Sequence, residues 1–206
     1  MNMKKIFLLF ALAMFATQLS YGQFALGIKV GYNASKLSTN IDTIKSQVNS
    51  GFHVGIWTHI GKRLYFAPEL LYTMSGTLFT SSGNLAVNNW QQKVTVGTMD
   101  VPLLLGFKII HSSVITWRIE VGPEASFVVN KKIKDVSGAG TITGANINTA
   151  NWYILGGTGI DVLFLTFDIR YQYGLNQFVK DVNNSGLKST NSLFLVSVGF
   201  RIFGDK

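Results

Sequence analysis

The sequence predicts an all-β protein, an eight-stranded antiparallel up-and-down transmembrane β-barrel, on three observations. The first is strict alternation. In "LTFDIRYQYG" (165–174), Leu165, Phe167, Ile169, Tyr171 and Tyr173 interleave with Thr166, Asp168, Arg170, Gln172 and Gly174. A period of two makes a strand with one apolar and one polar face. The second is composition: charged residues make up 14% and aromatics 13%, whereas a soluble surface is about a quarter to a third charged. Past residue 22 no run approaches the ~20 apolar residues of a spanning helix. The third is rhythm, because the alternating segments are joined by connections that are in turn short and long. Short periplasmic turns and four long external loops are the layout of an outer-membrane barrel.

The elements follow in order along the 206 residues. "MNMKKIFLLFALAMFATQLSYGQ" carries Lys4 and Lys5, an apolar run from Ile6 to Ala16, and small residues at Ser20 and Gly22. That is a secretory signal peptide over 1–22, cut between Gly22 and Gln23, and 23–206 is expected to be one barrel domain. The chain has no cysteine, which excludes an N-terminal lipid anchor and disulfides. A formal net charge of +8 on an exported protein points to anionic lipid or lipopolysaccharide phosphates. No basic stripe interleaved with aromatics marks a nucleic-acid surface.

Eight strands are expected at 24–34, 50–60, 63–76, 91–109, 113–128, 150–161, 163–174 and 191–203. The turns at 61–62, 111–113 and Asp161–Val162 are tight. The connections 35–49, 77–90, 129–149 and 175–190 are long and rich in Ser, Asn, Thr and Gly. Apolar faces recur: Leu26, Ile28, Val30 and Tyr32 in the first strand; Leu64, Phe66, Leu70 and Tyr72 in the third. Val101, Leu103, Leu105 and Phe107 share a face in the fourth, and Ile115, Trp117, Ile119 and Val121 in the fifth. The eighth gives Phe194, Val196, Val198, Phe200 and Ile202. Counted from the tight turns, Tyr32, Tyr72, Trp152, Tyr171 and Tyr173 fall near the external ends. Phe24, Phe107 and Trp117 fall near the periplasmic ends. Two aromatic girdles around an aliphatic band suit the two interfaces of a bilayer.

The opposite faces carry Lys29, Glu69, Asp100, Lys108, Arg118, Glu120, Glu124, Asp168, Arg170 and Arg201, including half of the chain's 10 acidic residues. Inside a narrow barrel an unpaired ion is costly, and guanidinium–carboxylate pairs satisfy one another bidentately. These ten residues are therefore expected to form an ion-pair network in the lumen, with glycines such as Gly157 and Gly159 making room. Pro68, Pro102 and Pro123 all fall inside strands. A closed barrel has no edge to hold a proline, so each is expected to mark a bulge or a break.

The chain resembles a known family at this point, the "porin family" or PorT-like outer-membrane β-barrel proteins of Bacteroidota. The resemblance rests on "IKVGYNASKL", "GFHVGIW", "FAPELLYTMSG", "DVPLLLGFK", "VGPEASF", "GTGID…FDIRYQYGL" and "LVSVGFRIF" in that order. The recurring motifs match Glu69–Tyr72, Val101–Leu104, Gly122–Pro123 and Arg170–Leu175. One departure is the end of the chain: Phe203 is followed by Gly204, Asp205 and Lys206, where such barrels often end on an aromatic. The resemblance implies the outer membrane as location and a link to secretion for some members.

Chemistry is sparse. Of the 3 histidines, His53, His59 and His111, only His53 sits where a lipid-cutting Ser–His–acid site would lie, with Ser50 or Ser75 as nucleophile. No nucleophile motif supports that site, and a lumenal histidine is the expected role. No His and carboxylates stand at metal-ligand spacing, and "GGTGID" at 156–161 is not G-x-G-x-x-G. No enzyme, cofactor or metal is therefore expected. The expected function is a structural or interaction protein of the outer membrane, its lumen occluded by ion pairs. Its partners would be lipid, lipopolysaccharide and a protein or ligand at the loops, and the chain a monomer. "NKKIKD" (130–135) heads the longest loop, within reach of lipopolysaccharide phosphates. The alternatives are a narrow channel with Glu69, Asp168 and Arg170 at its constriction, and a soluble lipocalin-like carrier.

Overall fold

The alternating segments become long strands: β1 (Phe24–Thr39), β2 (Ile44–Gln47), β3 (Asn49–Gly61), β4 (Leu64–Ser81), β5 (Trp90–His111), β6 (Ile115–Ser137), β7 (Ala150–Val162), β8 (Leu165–Gly174) and β9 (Ser189–Gly204). They come from a computed structural model that describes residues 23–39, 44–47, 49–81, 90–137, 148–176 and 189–204. The signal peptide expected over 1–22, Asp205, Lys206 and much of each external loop lie outside the described residues. All neighbours are antiparallel. β1 pairs with both β3 and β9, and the last strand of the order, β5, pairs back with β4, so the sheet closes. β2 pairs with β4 beyond the stretch that β3 occupies. It continues β3 around the wall, which makes a closed eight-stranded barrel. Where the eight strands pair all the way round, closure leaves no open edge among the described residues, which is the condition for a sheet to sit in hydrocarbon.

The alternation settles which face looks inward. Along β8, Ile169 and Tyr171 are 50% and 52% exposed, while Asp168 and Arg170 are 1% and 4% exposed. The apolar face is the outer wall and the charges point into the lumen. Ile28, Val30, Leu103, Leu105, Ile119, Val121, Val196, Val198 and Phe200 are likewise exposed on the outside. The lumen has its own apolar part, in which Ala67, Leu104, Leu155, Leu193 and Leu195 pack with Tyr65.

Two expectations about strand boundaries need correction. The strands run further on the external side than the sequence indicated: β4 continues to Ser81 and β6 to Ser137, into stretches read as loop. The last tight turn is at Leu163–Phe164, between β7 and β8, not at Asp161–Val162. Asp161 is a strand residue, buried in the lumen at 4% exposure. Leu163 takes a left-handed φ of 52°, and its N–H donates to Val114 O at 3.1 Å.

The prolines sit in neither bulges nor breaks. The β3–β4 ladder skips from Trp57↔Glu69 to Ile60↔Phe66, beside Pro68, with the register unchanged. The β4–β5 ladder skips from Pro68↔Leu103 to Leu71↔Asp100, beside Pro102. The β5–β6 ladder skips from Pro102↔Glu124 to Leu105↔Val121, beside Pro123. A strand residue directs its N–H to one neighbour only, so each proline costs one ladder its donor and leaves the other ladder intact. Thr58 Oγ1 donates to Pro68 O at 2.8 Å, so a side chain supplies a donor at the first skip.

A left-handed leucine costs about 1–2 kcal/mol relative to its ordinary conformation, and asparagine tolerates that region better. Leu163→Asn is expected to stabilise the refolded barrel by about 1 kcal/mol in urea unfolding, and Leu163→Val to destabilise it. An Asn variant no more stable than the parent would contradict the strain.

Candidate functional site

The period of two sends Arg118 and Glu120 of β6, and Asp168 and Arg170 of β8, into the lumen on either side of β7. The register sets Gly159 beside both Arg118 and Asp168, and Gly157 beside both Glu120 and Arg170. Because β7 has no side chain in these two rows, the groups on β6 and β8 meet across it. A Cβ at Gly159 would strike Asp168 Oδ1 and come 2.6 Å from Arg118 Cζ. One at Gly157 would come 2.6 Å from Arg170 Cγ.

Two guanidinium groups organise the cluster. Arg118 donates from Nε to Asp161 Oδ1 at 3.1 Å, from Nη1 to Glu120 Oε1, and from Nη2 to Asp168 Oδ1 and to Thr166 Oγ1. Arg170 grips Glu69 bidentately, Nη1 to Oε2 at 2.8 Å and Nη2 to Oε1 at 2.9 Å, and Nη2 also donates to Glu120 Oε2 at 2.7 Å. Lys29 Nζ of β1 donates to Glu69 Oε1 at 2.8 Å and to Asp168 Oδ2 at 3.0 Å. The Tyr65 hydroxyl of β4 donates to Glu120 Oε1 at 2.7 Å, and His59 Nε2 lies 3.5 Å from the same oxygen. Lys29, Arg118 and Arg170 thus face Glu69, Glu120, Asp161 and Asp168, and none of the seven is more than 4% exposed. Ion pairs this deep hold only when each charge has partners on several sides, as these do.

Of the ten charged residues expected in the lumen, Lys29, Glu69, Arg118, Glu120, Asp168 and Arg170 meet in this cluster. Asp100 and Glu124 are buried elsewhere in the lumen, accepting from the Ser126 hydroxyl and the Gln172 amide. Lys108 Nζ lies 6.0 Å from the centroid of the Tyr65 ring, and Arg201 is half-buried. Lys108, Arg201, His59 and Asp161 line a cavity of about 10 Å³. Sequence reasoning missed Asp161, Tyr65, His59 and Thr166. Asp161 had a signal, since it continues the phase of Gly157 and Gly159.

Among the girdle residues, Tyr32, Phe107, Trp117, Trp152, Tyr171 and Tyr173 are exposed on the outer wall. Tyr72 and Phe24 are half-buried, the latter with its ring centroid 6.2 Å from that of Phe203. His53 is 1% exposed, and its Nδ1 has no hydrogen-bond partner among the described residues. Ser50 is exposed on the other face of β3, which separates it from His53.

The family profile of the outer membrane protein β-barrel domain matches residues 15–180. The chain belongs to that family, and its location is the outer membrane. Among curated proteins nothing matches. Among solved structures, the outer-membrane protein OprG of Pseudomonas aeruginosa is similar with a TM-score of 0.50 at 12% identity. The match covers 88% of this chain and 96% of OprG. Neisserial surface protein A matches with a TM-score of 0.44 at 13% identity, over 85% of this chain and 96% of its own. Ail of Yersinia pestis, solved with the heparin analogue sucrose octasulfate, matches with a TM-score of 0.43 at 10% identity, over 87% and 99%. At this identity the likeness to OprG concerns the fold alone.

Removing one guanidinium strands the carboxylates around it. Arg118→Ala is expected to lower the stability of the refolded barrel by about 3–5 kcal/mol in urea unfolding from lipid vesicles. Gly159→Ala is expected to cost about 1–3 kcal/mol by overpacking. Losses under about 0.5 kcal/mol, the range of ordinary surface substitutions, would show the cluster to be energetically idle.

Proposed function

We propose that this outer-membrane barrel is non-enzymatic and non-conducting, its lumen shut by the ion-pair cluster. It acts through its external ends, as a structural or interaction protein toward lipopolysaccharide and a protein or ligand partner. The observation that carries the reading is the Arg118–Asp168 and Arg170–Glu69 pairing. It ties side chains of β4, β6 and β8 to one another across the lumen. The cavity beside it, about 10 Å³, has room for one water molecule. Membership of the PorT-like branch, with its link to secretion, belongs to this proposal and is supported by the ordered motifs of the sequence.

A narrow channel is the second reading. It is favoured by Asp100 and Glu124, whose hydrogen bonds to Ser126 and Gln172 come from neutral groups. These two carboxylates would line a cation-selective path if the cluster parted. Planar-bilayer recording separates the two readings. The parent protein is expected to give no reproducible conductance steps. Steady unitary steps whose ion selectivity changes in Glu69→Ala or Arg170→Ala would establish the channel instead.

A further inference from the structure

The distribution of charge over the wall is one-sided. Among the described side chains, every exposed charge is positive: Lys62 and Arg63 at the β3–β4 turn, and Lys93, Lys132 and Lys134 on the paired ends of β5 and β6. Every carboxylate whose side chain is described lies buried in the lumen. The two basic groups stand at opposite ends of the barrel, one on the side of the tight turns and one on the side of the long loops.

The loop-side group has a particular geometry. Lys93 of β5 stands directly opposite Lys134 of β6, and Thr95 opposite Lys132. An extra residue in β6 where the register shifts, between Thr98↔Val128 and Gly97↔Asn130, reverses the phase of that strand. Lys132 and Lys134 are therefore exposed on the outer surface with Lys93, while Val94 and Val96 on β5 are 2% exposed. Like charges placed directly across a ladder repel, and no ion pair joins these lysines to a described carboxylate. Below them on the same strand, Phe127 and Val129 are 45% and 57% exposed on the outer wall. Lys132 lies ~16 Å along the strand from Phe127 at ~3.3 Å per residue, or roughly 12 Å higher once strand tilt is counted. A lysine stem can reach back several ångströms toward the interface.

We propose that Lys93, Lys132 and Lys134 form a site on the outer wall for the phosphates of lipid A in the external leaflet. The acyl chains would lie along the apolar surface of β5 and β6 below. The pairing of like charges calls for an anion between them, and the apolar strip beneath calls for an anion that carries hydrocarbon. A phosphorylated glycolipid meets both demands, and a free phosphate or a soluble polyanion meets only the first. The proposal rests on the outer-membrane reading and on the long loops facing outward. It is independent of whether the lumen conducts.

The test uses the refolded full barrel in detergent, with bisphosphorylated and dephosphorylated lipid A as probes and native mass spectrometry as readout. The parent is expected to hold the bisphosphorylated form about tenfold more tightly, and the preference should shrink as salt rises. The triple variant Lys93→Gln, Lys132→Gln, Lys134→Gln is expected to lose that preference. The triple arginine variant should keep it. Unchanged heat-modifiable gel mobility checks that each variant is folded. Equal retention of the two lipids by the parent, or a preference intact in the triple glutamine variant, would overturn the site. Tight binding of inorganic phosphate alone would overturn the lipid assignment. Conductance recorded on the same preparations tests the closed-lumen reading separately.

Discussion

The structure depends on charge being enclosed by the wall. Lys29, Arg118 and Arg170 sit among Glu69, Glu120, Asp161 and Asp168 at almost zero exposure, where any one of them alone would be strongly destabilising. Their mutual hydrogen bonds offset that cost, and the offset requires the strands to stay at fixed separation and register. Closure supplies both. The two β7 glycines then matter as much as the ions, because they let groups on β6 and β8 meet over the strand that separates them. Outside, the same alternation leaves aliphatic and aromatic side chains toward lipid, which asks only that they be apolar.

The wall tolerates a defect that a flat sheet would place at its edge. Pro68, Pro102 and Pro123 lie on three consecutive strands, and the skipped pairs beside them fall in three consecutive ladders. Since each proline withholds one donor from one neighbour, the register survives on both sides. The uninterrupted register explains how these residues can sit in mid-strand without a bulge.

Much of this was legible in the residues. Alternation located eight strands, and because one face of each was plainly apolar the inward and outward sets followed from it. Ten charged positions were placed on the inner faces, and the six that meet are those whose partners lie in adjoining rows. What the sequence hid has physical reasons. "DVLFL" (161–165) contains no glycine, asparagine or proline at the turn itself, so the left-handed Leu163 gave no signal and Asp161 was assigned to the turn. Asp100 and Glu124 look like the other lumenal acids, but no single strand reveals which cation a neighbour delivers. The extension of β6 beyond the expected end at 128 placed Lys134 against Lys93, a pairing of residues far apart in sequence that only register discloses. The prolines pointed to bulges because sequence cannot say which neighbour loses its donor.

The central claim, lipid outside and charge inside, can be measured with residues already present. Trp152 is 53% exposed on the outer wall, while Trp57 is 2% exposed, its Nε1 donating to Ile28 O at 3.2 Å within the barrel. In single-tryptophan variants refolded into vesicles of brominated lipid, the account predicts strong quenching of Trp152 fluorescence and little of Trp57. Equal quenching of both, or the reverse order, would contradict it.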